Sequence, residues 1–324
     1  DMNDLDGDVR VLQEQQGSIR PVDFSPVPGD TRLLAITDAS GYDRPMIFDV
    51  ATGDQIDIPL TDVEGNISPQ GWSPDGKKIL ISRLLKAEYK MFVYDLETSI
   101  LNELDPPGGT FYSGYFVPKT DDLHAYDTIF VNQTQSTNPT RVIALDAETG
   151  AYKETVMAAG DVPESRAWRS VMFMSSGNAQ IQAWLATPEG DGPWPVIFNT
   201  HGGPTSVQTD AFSPAAQAWL DHGFAYFSVN YRGSTTFGRD FERAIYGMLG
   251  HREVDDMAAG YQWLVDNGIA QPDAVILNLQ RAYANTVTNA RVLRLLADPS
   301  RPMVQPDRYT TADQQRIRAL IAAT

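Results

Sequence analysis

His201-Gly202-Gly203-Pro204 is the run best suited to chemistry in this chain. It follows a continuous apolar stretch, residues 195–200, that reads as a buried strand. A Gly-Gly turn lets backbone N–H groups come close to a ligand, because glycine adopts angles barred to other residues. Such donors stabilise the negative charge of a tetrahedral intermediate in acyl transfer. Alone, the run is equally compatible with a plain tight turn. Downstream come Asn230-Tyr231-Arg232-Gly233-Ser234 and Phe237-Gly238-Arg239, then Gly250, Glu253, Asp255 and Asp256.

These residues need a frame, and the spacing supplies one. Residues 170–175 and 181–186 read as a hairpin around Ser176-Gly177-Asn178. Strands are expected at 195–200, 224–230 and 274–279. Ser213-Pro214 offers an N-cap and an N1 proline to a helix whose inner face is expected to hold Phe212, Ala215, Ala216 and Trp219. Val254, Met257, Ala258, Tyr261, Leu264 and Val265 trace a second helical stripe. Strands alternating with helices imply a doubly wound α/β sheet.

The first 150 residues repeat. Phe48-Asp49-Val50-Ala51-Thr52-Gly53 returns at residues 94–99 and 145–150, with the aspartates at 49, 95 and 146. Phe24-Ser25-Pro26, Trp72-Ser73-Pro74 and Phe116-Val117-Pro118 keep the same pace. Each unit holds an aromatic turn, two short strands such as residues 78–82 and 91–94, and an Asp-x-x-Thr-Gly turn in which Asp bonds its own backbone and Gly supplies positive φ. Short strands recurring every 40–50 residues or so signal propeller blades. About three blades fit, and propellers have roughly four to eight, so this one is expected to be partial. Unrelated hairpins of a β-sandwich are the alternative.

Taken together, residues 165–278 resemble the catalytic domain of the prolyl oligopeptidase family of serine peptidases, in the acylaminoacyl peptidase and dipeptidyl peptidase branch. Trp184-Leu185-Ala186-Thr187-Pro188 with Pro193-Trp194-Pro195 matches the start of that domain, and the blocks above follow in order. The resemblance implies a partial β-propeller at 1–162, the N-terminal half of an α/β-hydrolase domain at 163–280, and a divergent tail at 281–324. It implies a serine-type peptidase acting on short peptides, with the propeller restricting access. His201, Gly202, Gly203 and Pro204 become the oxyanion loop; Tyr231, Arg232, Gly233 and Ser234 become cleft residues.

The catalytic groups are missing from this pattern. In α/β hydrolases the nucleophile sits in a Gly-x-Ser-x-Gly elbow after the next strand. Here that strand leads into Asn278-Leu279-Gln280-Arg281-Ala282-Tyr283, with Arg281 at the serine position. The histidines are His124, His201, His222 and His251, all before residue 281, where a triad histidine should follow the serine. His201 is expected to orient its loop, His222 to end a helix, and His124 to sit in a propeller strand. An inactive chain is expected, from a truncated, mis-joined or degenerate reading frame. Two other functions stay open: a non-catalytic peptide- or protein-binding protein, and an esterase or lipase-like hydrolase, which the blades disfavour.

Composition sets outer limits. The 324 residues carry a formal net charge of −17, a poor match for nucleic acid or an anionic membrane surface. The tail, with seven arginines and three aspartates, is +4, which leaves −21 for residues 1–280. Thr311 and Gln314 could cap a short helix there. Cysteine is absent, so disulfides and thiolate chemistry are excluded. No apolar run reaches membrane-spanning length. No cofactor and no metal site is expected, and no compartment is assigned: cytoplasmic or secreted after signal removal both fit. Open propeller edges are expected to drive self-association.

Overall fold

The computed structural model describes residues 17–279, except 59, 61, 161, 163 and 164. Arg281 and the 281–324 tail, with its expected helix, lie outside the described residues. The chain divides into two compact units. The first runs to Gly160; the second takes the chain after Gly160 together with the short segment Gln135–Pro139.

The first unit holds three antiparallel four-stranded meanders. They are β1 (Ile19–Phe24), β2 (Arg32–Thr37), β3 (Arg44–Asp49) and β4 (Gln55–Asp57); β5 (Asn66–Trp72), β6 (Lys78–Leu85), β7 (Glu88–Asp95) and β8 (Ile100–Glu103); and β9 (Thr110–Pro118), β10 (Tyr126–Gln135), β11 (Asn138–Asp146) and β12 (Tyr152–Met157). The aromatic markers Phe24 and Trp72 end the first strand of their sheets, and Phe116 lies near the end of β9. The aspartates of the repeat end β3, β7 and β11. Asp49, Asp95 and Asp146 each accept backbone N–H bonds from the residues two and three ahead.

Period-two alternation makes these sheets stack. In the middle sheet, Ile79, Ile81, Phe92 and Tyr94 face Leu34 and Ile47 of the first. Leu80, Met91 and Val93 face the other way, onto Phe111, Ile129, Val131 and Ile143 of the third. A strand buried on both faces in this way must be apolar at successive positions. His124 lies in the loop between β9 and β10 and not in a strand. Asp122 and Pro118 explain this: the proline ends β9, and the Asp122 carboxylate accepts the His124 N–H in a local turn.

The second unit is a five-stranded sheet with helices. Its strands are β13 (Arg169–Met174), β14 (Gln180–Ala186), β15 (Trp194–Thr200), β16 (Ala225–Asn230) and β17 (Ala270–Leu279), in the order β13-β14-β16-β15-β17. The β13–β14 and β14–β16 pairs are antiparallel, and β15 lies parallel between β16 and β17. Phe198, Phe227 and Val229 are fully buried, as expected of central strands.

Helix α1 (Pro214–Asp221) is capped by Ser213, whose Oγ accepts from Ala216 N at 3.2 Å. Its buried face is Ala216 and Leu220, one helical turn apart; Ala215 is exposed, a quarter-turn off the expected stripe. A short helix, α2 (Arg239–Arg243), precedes α3 (Arg252–Asp266). Val254, Met257 and Leu264 of α3 are buried against the sheet, with Tyr261 and Val265 partly so. Gly260 allows close approach: a Cβ there would meet Phe173 at 3.0 Å and Phe227 at 3.1 Å.

Candidate functional site

Parallel strands β15 and β16 end side by side, so the loops that follow them meet at one carboxyl end of the sheet. Residues 201–204 follow β15, and residues 231–234 follow β16. The carboxyl end of an open α/β sheet is where ligands bind.

The two loops are interlocked. His201 stacks on Tyr231 with ring centroids 4.6 Å apart, and the Tyr231 hydroxyl donates to the His201 carbonyl at 2.8 Å. His201 Nε2 lies 2.9 Å from Ser234 Oγ, and Nδ1 lies 2.9 Å from the Gly202 carbonyl. A carbonyl only accepts, so Nδ1 carries the proton of the neutral ring; the Ser234 hydroxyl has one proton and two acceptors in reach, the Tyr231 carbonyl at 2.6 Å and His201 Nε2. The Tyr231 carbonyl also receives the Ser234 N–H at 2.9 Å. Burial lowers the pKa of His201, which favours that neutral form. Burial, with a smaller contribution from Glu253, raises the Tyr231 phenol well above its usual range.

Two glycines close the arrangement. Gly203 has φ +135°, open to glycine alone at little cost, and its position is exposed. Gly233, at φ +109°, lies under Pro204: a Cβ on it would come within 3.0 Å of the proline. Thus His201, Pro204, Tyr231, Gly233 and Ser234 are brought together. Further along the same loop, Asn230 Oδ1 accepts from Gln208 N at 2.7 Å, and Asn230 Nδ2 donates to the Gln182 side chain.

Arg232 turns the other way. Its guanidinium lies 2.6 Å from Asp256 Oδ1, and its backbone N–H donates to Asp256 Oδ2 at 2.8 Å. Ser175 Oγ donates to the same carboxylate, and Arg232 also bonds the Ser176 carbonyl and hydroxyl. Arg232 and Asp256 are both buried. The group therefore joins the β13–β14 turn, the end of β16 and helix α3. Sequence reasoning missed this hub. The signal was present: Glu253 and Asp256 fall beside Val254 and Met257 on the buried side of α3, where an acidic residue requires a partner.

His222 caps α1, with Nδ1 2.7 Å from the Ala218 carbonyl. His251 stands at the N-cap of α3. No cluster of metal-binding residues occurs among the described residues. No helix among them is long and apolar enough to cross a membrane.

Propeller-like sheets followed by a mixed sheet with helices resemble the two-domain fold of solved prolyl endopeptidase and puromycin-hydrolysing peptidase structures. Residues 210–278 match the model of the prolyl oligopeptidase family. That match supports the family resemblance read from the sequence. It is 25% identical over 209 residues to dipeptidyl-peptidase 5 of Aspergillus fumigatus, covering 60% of this chain and 28% of that one. Over 116 residues it is 35% identical to dipeptidyl aminopeptidase BIII of Pseudoxanthomonas mexicana, covering 33% of this chain and 17% of the relative. Among solved structures, a puromycin-hydrolysing peptidase of Mycobacterium tuberculosis superposes with a TM-score of 0.69 at 20% identity, over 88% of this chain and 44% of that one. The chain thus spans less than half the length of these relatives.

Proposed function

We propose that this chain is a portion of a serine-type peptidase acting on short peptides, and that as it stands it does not catalyse hydrolysis. The three meanders are read as three blades of a β-propeller at 1–162. Residues 163–280 are read as the N-terminal half of an α/β-hydrolase domain. The observation that carries the reading is the 201–204 loop at the carboxyl end of β15, held by His201 against Tyr231 and Ser234.

In this reading the loop supplies one backbone donor to an oxyanion, and the residue after the nucleophile supplies the other. His201 acts on the loop's shape: its Nδ1–H bond turns the Gly202 carbonyl towards the ring. The opposite N–H of that planar peptide, on Gly203, then points away from it. Arg281 provides no nucleophile and stays protonated. Loss of serine and base leaves only binding and oxyanion donors, far below normal turnover.

A chain that binds peptides without cleaving them is the second reading. It is favoured by the interlocked loop, which needs none of the missing residues for its shape. Incubation with a dipeptidyl p-nitroanilide distinguishes the two halves of the proposal. No colour above buffer, together with saturable binding of the unreacted peptide, fits an inactive family member. Sustained release of nitroaniline by the purified chain would refute the loss of catalysis.

A further inference from the structure

A polar cavity lies in the same unit, at the far end of the sheet from the 201–204 loop. Its volume is about 520 Å³, within the range of small-molecule sites. Arg169 and Leu185, paired across β13 and β14, form part of its wall. Leu185 faces Phe227 near the start of β16, so the cavity opens at the amino end of that strand. Ser165, Arg166, Glu189 and Asp221 complete the polar lining.

One feature of this lining is costly without a ligand, and two others complement a charged one. Ser165 Oγ is shielded from solvent and has no hydrogen-bond partner among the described residues, a state rare among buried polar groups. Asp221 is the last residue of α1, a helix with no basic residue in its last turn. A carboxylate there opposes the negative end of the helix dipole. Gln217 donates to Asp221 Oδ1 but brings no charge. The Arg169 guanidinium makes no ion pair among the described residues, while the Arg166 guanidinium pairs with Glu189, whose side chain is 84% exposed. Exposed pairs of that kind are weak and exchangeable.

We propose that this cavity binds a small zwitterion, a free amino acid or dipeptide. The ligand carboxylate sits at Arg169 and Arg166 with a hydrogen bond from Ser165, and the ligand ammonium sits at Asp221 and the carbonyl end of α1. Pro188, also in the lining, offers the apolar contact for a side chain. This site is independent of the peptidase reading, since none of its residues belongs to the 201–204 loop.

The test is calorimetric titration of the full chain with leucylglycine, and with N-acetyl-leucylglycinamide, which lacks both charges. Saturable binding of the first and none of the second is expected. Arg169→Gln and Asp221→Asn should each weaken binding about ten-fold or more, the loss of one charged contact. Ser165→Ala should weaken binding yet raise the melting temperature of the unliganded chain, because it removes an unsatisfied hydroxyl. Equal binding of the blocked peptide, no saturable binding of leucylglycine, or a Ser165→Ala variant that melts lower without ligand would each overturn the proposal.

Discussion

His201 Nε2 lies 2.9 Å from Ser234 Oγ, although the two residues are 33 positions apart and sit on different loops. The contact exists because β15 and β16 are parallel neighbours that end together. Ser234→Ala should remove the hydroxyl shared by the buried ring nitrogen and the Tyr231 carbonyl, at about 1–3 kcal/mol of folding stability. Equilibrium urea unfolding of the two proteins measures this directly.

The same burial gives His201 a pH signature. Its folded pKa is depressed below the unfolded value of about 6.5, so the unfolded chain binds the extra proton first. The stability due to neutral His201 is complete above that pH and is lost as pH falls from there towards the folded pKa. His201→Gln should therefore flatten the profile below about pH 6.5 relative to the parent chain.

Asp256 is the more severe deletion. Removing it leaves the buried Arg232 guanidinium with only the half-exposed Asp255 carboxylate at 3.9 Å, a loss of about 3 kcal/mol or more. Asp256→Ala should unfold at far lower urea concentration or fail to accumulate folded. A variant within 1 kcal/mol or so of the parent would show that water reaches the pair.

The repeat was legible because the same turn recurs: Asp49, Asp95 and Asp146 sit at one structural position, and so do Gly53, Ser99 and Gly150. The inner strands were legible for their apolar runs. The outer strands β4, β8 and β12 were not, since short, largely exposed edges such as residues 100–103 carry no core pattern. At the site, the 201–204 and 231–234 blocks stood out as motifs, yet their pairing did not. A contact between His201 and Ser234 depends on strand order, which local sequence does not encode. Arg232 was assigned to the cleft with its neighbours because motif membership says nothing about which way a side chain turns.

Ser99 adopts φ +57°, where the equivalent repeats have glycine at +85° and +76°. A non-glycine residue in that region pays roughly 1–2 kcal/mol. Ser99→Gly should recover about 1 kcal/mol after the entropy of the unfolded chain is counted. Thermal melts of the two proteins give the answer, and a lower Tm for the glycine variant would contradict the turn assignment.

The third meander keeps large apolar groups in solvent: Tyr115 is 56% exposed and Met157 64%. Sedimentation velocity over a range of concentrations should show reversible self-association, reduced by Tyr115→Ser with Met157→Ser. A concentration-independent monomer would contradict the idea that this surface lacks its natural cover.

Catalytic competence is the central question, and a fluorophosphonate probe addresses it most directly. Such probes report a serine made nucleophilic by an adjacent base. Ser234 has His201 beside it, but the serine is fully buried and its partner's Nδ1 faces a carbonyl in place of a carboxylate. The account predicts no labelling of the purified chain above a heat-denatured control. Stoichiometric labelling that disappears in Ser234→Ala, or in any other single serine variant, would contradict it and identify the nucleophile.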